Sequence, residues 1–169
     1  MQVFKNRVIT GAAGKPITLD VFCPDTSAPV SWLIYAHGFN GFKDWGNFDR
    51  IAGRIAEAGM AVVKFNFSHN GTTPDEPEQF TDLEAFGQNN YTKQLTDLKA
   101  VTDWICSSSN PCRALLDPQR LYLLGHSMGG TMALLYAAED PRIRKLVTWA
   151  APSACKTPWG NWPASKMAE

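Results

Sequence analysis

Several things are scarce or missing in this sequence, and each closes off a class of function. Its 16 Lys+Arg balance 16 Asp+Glu in 169 residues. The one-signed field that draws a protein to nucleic acid or to a charged membrane surface is therefore lacking, and neither partner is expected. The longest apolar stretch, around 132–138, falls far short of the roughly 18 residues that a membrane-spanning helix needs. The opening MQVFKNR does not run from basic to apolar to small residues as an export signal does, so the expected location is the cytoplasm. The four cysteines, Cys23, Cys106, Cys112 and Cys155, form no C-x-x-C pair and have no histidine at ligand spacing, which leaves no metal site to expect. They read first as buried thiols. Cys106 and Cys112, on either side of a Ser/Asn/Pro stretch, have the spacing for a small disulfide loop in an oxidising compartment. What remains, 44% hydrophobic and 19% charged, describes one globular domain.

The order of elements gives the fold class. Alternating segments at 3–9 and 17–22 flank the turn Gly11-Ala12-Ala13-Gly14 and predict an antiparallel start. The run Trp32-Leu33-Ile34-Tyr35-Ala36, ended by His37-Gly38, predicts a strand buried on both faces. Phe48, Ile51, Ala52, Ile55 and Ala56 recur at helical spacing, with Gly59 placed to end that helix. A strand at 60–67 leads into a long Gly/Pro/acid-rich loop from Ser68 to about Asn89. Leu95, Leu98, Val101, Trp104 and Ile105 mark a second helix, and a strand follows at 121–124. The helix expected over 128–138 is apolar nearly all round and so should be deeply buried, and 143–150 supplies one more strand. Strands alternating with helices predict an α/β domain with a mostly parallel sheet flanked by helices.

Chemistry enters at Gly125-His126-Ser127-Met128-Gly129, a G-x-S-x-G sequence between a strand and a buried helix. So tight a turn forces the serine into a strained backbone conformation, and Gly125 and Gly129 remove the Cβ atoms that would collide there. Ser127 is thereby presented at the top of the sheet. The helix behind it offers the Met128 N–H to a substrate carbonyl oxygen, and the loop His37-Gly38-Phe39 stands where a second donor, the Phe39 N–H, is needed.

On His37-Gly38-Phe39-Asn40-Gly41, the strand 62–67 with its loop, the 125–129 elbow and the strand Leu146-Val147-Thr148-Trp149 before Ala150-Ala151-Pro152, the sequence resembles the α/β-hydrolase family. Its nearest branches are serine esterases and serine aminopeptidase-like enzymes, cinnamoyl-ester hydrolases among them. The resemblance implies that Ser127 is the nucleophile, that Phe39 and Met128 form the oxyanion hole, and that neither a metal nor an organic cofactor takes part. The substrate it implies is a small-molecule ester or a short peptide. It also implies an acid and then a histidine after the serine. Here the histidines are His37, His69 and His126, all before Ser127. The chain therefore reads as the N-terminal part of a hydrolase, with residues 1–151 an incomplete core. Residues 152–169, with Trp159, Trp162 and three prolines, read as the start of a cap, lid or linker.

Alone, such a chain is expected to be nearly inactive, with an apolar edge at 146–149 that a missing C-terminal segment or another chain should cover. Two other readings share these residues: a binding protein that has lost its triad, and an acyltransferase or thioesterase using the same serine. His126 is expected to pack rather than act as a base, His37 to order the oxyanion loop, and His69 to be a solvated loop residue. Asp75, Glu76 and Glu78 could greet a cationic amino terminus, but a charge run is more often a solvated face.

Overall fold

The computed structural model describes residues 1–154. One six-stranded sheet forms its centre. The strands are β1 (Gln2–Thr10), β2 (Pro16–Cys23), β3 (Val30–Ala36), β4 (Ala61–Phe65), β5 (Leu116–His126) and β6 (Ile143–Trp149). Their order across the sheet is β1-β2-β4-β3-β5-β6. The first two pairings, β1 with β2 and β2 with β4, are antiparallel, and the rest are parallel. This is the expected architecture: an antiparallel hairpin opening a mostly parallel sheet.

Period-2 alternation sends side chains to two separate cores. Ile17, Leu19, Val21, Trp32, Ile34, Val63, Phe65, Leu121 and Leu123 form the larger one with Leu98, Val101, Ile105, Met132 and Tyr136. The last five come from helices α3 (Tyr91–Cys106) and α4 (Met128–Glu139). On the opposite face Phe22, Leu33, Tyr35, Val62 and Leu124 meet Ala52 and Ala56 of α1 (Phe48–Glu57). Gly59, at φ +94°, ends the α1 region in the left-handed conformation that glycine adopts without a Cβ penalty. The long loop after β4 holds a short helix, α2 (Leu83–Gly87), capped by the Asp82 carboxylate accepting from the Ala85 N–H at 3.0 Å.

Three expectations need correction. Cys112 pairs with Cys23 rather than Cys106, joining the end of β2 to the turn before β5 with a Cα–Cα distance of 6.6 Å, and Cys106 is a free thiol. Sequence spacing favoured the near neighbour, whereas the sheet brings together residues 89 apart. Helix α4 is not buried all round: Leu134 is 48% exposed and Leu135 40%. Only the side packed on the sheet is covered, because among the described residues β6 is the last strand on that flank. His69 is buried, not solvated. Its Nδ1 lies 2.8 Å from the Ser68 hydroxyl, which donates at 2.8 Å to the Asp97 carboxylate of α3. The cap, lid or linker expected at 152–169 lies mostly outside the described residues, as does Cys155.

No helix among the described residues is long and apolar enough to cross a membrane.

Candidate active site

Ser127 occupies the turn between β5 and α4 with φ 52° and ψ −126°, a region that non-glycine residues enter only at a cost of about 1 to 3 kcal/mol. The neighbouring atoms explain the glycines around it. A Cβ on Gly125 would sit 2.3 Å from the Gly129 carbonyl oxygen, and one on Gly129 would sit 2.3 Å from that of His37. The elbow is thus pressed against the end of β3. Its backbone is also tied sideways, since the Ser127 N–H donates to the Trp149 carbonyl of β6 at 2.8 Å. Met128 opens α4, so its N–H has no carbonyl within the helix to receive it and belongs to the positive end of the helix dipole.

The loop after β3 closes over this turn. A Cβ on Gly38 would meet the Ser127 Cβ at 2.9 Å, so the absence of a side chain there permits the approach. His37 sets the loop's direction. Its Nε2 accepts from the Phe67 N–H at 3.3 Å, which leaves the proton on Nδ1 to be donated to the Gly38 carbonyl at 2.8 Å. Burial, aided by the nearby His126 and opposed by the Gly38 bond, pushes His37 down to about 4, so the ring is neutral at physiological pH. The expected ordering role for His37 matches these bonds.

Together the two turns bound an open cleft of about 240 Å³. Ser127, His126, Tyr35, Phe39, Trp45 and Phe48 line it, and none of its described lining residues is charged. Phe39 and Trp45 stand half exposed at its mouth. Phe39 also packs on Phe86 of α2, with ring centroids 5.6 Å apart, so the long loop supports the rim. His126 lies 5.8 Å, ring to ring, from Phe48 and lines the cleft beside the serine. Tyr35 forms part of the floor. Its hydroxyl has no partner among the described residues, and burial pushes the phenol's pKa up.

Sequence reasoning had no signal for an ionic cluster that joins β2, β4 and the chain between β3 and α1. Asp20 of β2, Asp44 and Asp49 bring carboxylate oxygens within 4.8 Å of one another. Those oxygens face ammonium groups. Lys43 lies 2.9 Å and Lys64 3.0 Å from Asp20, Lys64 lies 2.8 Å from Asp49, Lys5 pairs with Asp49, and both Lys43 and Lys64 pair with Asp44. Burial alone would raise the Asp20 carboxyl, but the Asn6 N–H and the two lysines hold it below its ordinary value. Its oxygens are engaged by these donors rather than arranged for a metal. Asp75, Glu76 and Glu78, by contrast, are exposed and line no part of the cleft.

A family model described as "alpha/beta hydrolase fold" matches residues 31–166. Among curated proteins, the quorum-quenching protein AidA of Acinetobacter baumannii (strain MDR-ZJ06) is 26% identical over 128 residues, 76% of this chain and 38% of the relative. A monoacylglycerol lipase of Mycolicibacterium smegmatis is 27% identical over 131 residues, 78% of this chain and 40% of its own length. Among solved structures, the alpha/beta hydrolase GrgF from Penicillium sp. sh18 superposes with a TM-score of 0.70 at 22% identity. That superposition covers 89% of this chain and 46% of GrgF. The chain therefore spans about two fifths of the length of these curated relatives.

Proposed function

Because the chain belongs to the alpha/beta hydrolase fold family, we propose that it carries the nucleophilic half of a serine hydrolase acting on an ester, or on an amide, through an acyl-enzyme at Ser127. The observation that supports this most is the backbone of Ser127 itself, held at φ 52° on the floor of an uncharged cleft. Strain at such a turn persists only where its surroundings impose it, and here Gly38, Gly125 and Gly129, by lacking side chains, let the neighbouring backbone close in around it. In this reading the Ser127 hydroxyl attacks the substrate carbonyl, and the N–H groups of Met128 and Phe39 receive the negative charge that develops on its oxygen. Each donor of that kind contributes about 3 to 4 kcal/mol of transition-state stabilisation. The cleft favours a neutral small-molecule ester over a cationic peptide terminus, since no acidic side chain among the described residues lines it.

His37 is buried with both ring nitrogens engaged, and the ring faces structure rather than substrate. Since the family order puts the acid and the histidine after the serine, and residues 128–169 hold no histidine, the base and its carboxylate partner are assigned to a further segment or to a second polypeptide. Either would lie against β6, where Val147 is 47% and Trp149 39% exposed. Without that base, about 10³ to 10⁴ of rate enhancement remains from the oxyanion hole and binding alone.

A fluorophosphonate probe tests the assignment. Labelling at Ser127 that disappears in Ser127→Ala supports it. No labelling, even of the protein extended by the segment that covers β6, favours the reading as a binding protein, which rests on all three histidines preceding the serine. Transfer of the acyl group to an added thiol or alcohol in preference to water would favour the acyltransferase or thioesterase reading. The cytoplasmic placement has to accommodate the Cys23–Cys112 bond, which persists most readily in an oxidising compartment. Thiol counting on protein trapped with alkylating reagent in cells distinguishes the two locations.

A further inference from the structure

We propose that Lys43 is a positioning residue that holds the oxyanion loop against the sheet, an inference that rests on the role given above to Phe39. The pairing of β3 with its neighbours ends at Ala36, yet the loop that follows must keep a backbone N–H fixed beside Ser127. Side chains supply that attachment. The Asn70 amide donates to the Gly41 carbonyl at 3.1 Å, and the Asn66 carbonyl oxygen accepts from the Lys43 N–H at 2.6 Å. Asn66 is itself clamped, its amide donating to the Thr72 hydroxyl at 2.9 Å and the Pro77 carbonyl at 2.8 Å. The Lys43 side chain, 1% exposed, then runs inward to the Asp20 carboxylate of β2 at 2.9 Å and pairs with Asp44. The loop is thus pinned by its main chain to the end of β4 and by one ammonium group to β2.

The distribution of charge argues that this lysine serves the loop more than the core. Asp20 also accepts from the Asn6 N–H at 2.8 Å, and it keeps Lys64 at 3.0 Å and Lys5 at 3.3 Å when Lys43 is removed. The buried carboxylate therefore remains compensated, and breaking the pair does not strand a charge in the interior. What is lost is the inward anchor of residue 43, four positions from Phe39. Reacting groups displaced by as little as about 1 Å forfeit on the order of 10² in rate.

The test uses the 169-residue chain and two readouts. Lys43→Met is expected to speed amide hydrogen exchange across residues 38–46 by roughly tenfold or more, with exchange in β3, β4 and β5 unchanged. It is also expected to slow the rate constant for phosphonylation of Ser127 by about 10²-fold while leaving the probe's half-saturating concentration within about twofold. Lys43→Arg, which keeps a cation facing Asp20, is expected to restore part of both. Should Lys43→Met not fold, Asn66→Ala removes the acceptor for the same loop N–H, and the same two measurements apply to it. Unchanged exchange in 38–46, or an equal acceleration throughout the sheet, would overturn the proposal. So would normal phosphonylation despite a loosened loop. If wild type is not phosphonylated even when extended by the segment that covers β6, the serine hydrolase reading fails by itself, and hydrogen exchange alone decides whether Lys43 holds the loop.

Discussion

The strain at Ser127 makes an opposing prediction for stability and for chemistry. Glycine adopts φ 52°, ψ −126° without a Cβ penalty, so Ser127→Gly should stabilise the fold by about 1 kcal/mol while removing the reactive hydroxyl. Urea denaturation of both proteins checks this, and a less stable variant would count against an imposed conformation. Gly129→Ala works in the other direction. Its new Cβ would fall 2.3 Å from the His37 carbonyl oxygen and 2.5 Å from that of Ala36, in a place where only backbone could yield. A loss of about 3 kcal/mol is expected in the same experiment. His37 gives a pH signature. Its folded value of about 4 lies below the usual 6.5, so the unfolded chain binds more protons between those limits. Stability contributed by the neutral ring is complete above about pH 6.5 and declines as pH falls towards 4, by about 3 kcal/mol in all. An NMR titration should show one imidazole that stays neutral well below pH 6. The reactive serine and its glycines were legible in the sequence because their spacing is local. The burial of His69 was not, since it depends on Ser68 reaching Asp97, 29 positions further along the chain.

At the scale of elements, the covalent bond between β2 and the turn before β5 is the clearest lever. Closing residues 89 apart restricts the unfolded chain by about 4 to 5 kcal/mol in the chain-entropy model. Replacing both Cys23 and Cys112 with alanine should lower the Tm markedly, and reductant should then have no further effect on the variant. Equal melting of wild type with and without reductant would mean that the bond contributes nothing. The strands and the three longer helices could be read from periodicity or from unbroken apolar runs, because either pattern extends over several turns or alternations. Helix α2 escaped notice because five residues carry too little periodicity to register. The exposure of Leu134 and Leu135 was hidden for another reason: composition reports that a helix is apolar, not how many neighbours it has.

For the whole molecule, the described sheet ends on β6, whose Val147 and Trp149 are exposed on the face that carries α1, while Leu134 and Leu135 of α4 are exposed on the other. An open apolar edge recruits other strands. The chain alone should therefore associate as its concentration rises, and Val147→Lys should suppress that association in sedimentation velocity without altering the circular dichroism of the fold. A wild-type chain that stays monomeric at high concentration would contradict this.

The bond from the Ser127 N–H to the Trp149 carbonyl carries a consequence that reaches from this flank to the chemistry. The bend that presents the hydroxyl is moored to the outermost strand, the one with nothing beyond it in the described sheet. Fraying at that margin would slacken the mooring before it disturbed the interior. A neighbour docking there would tighten the nucleophile from behind, without ever touching the substrate.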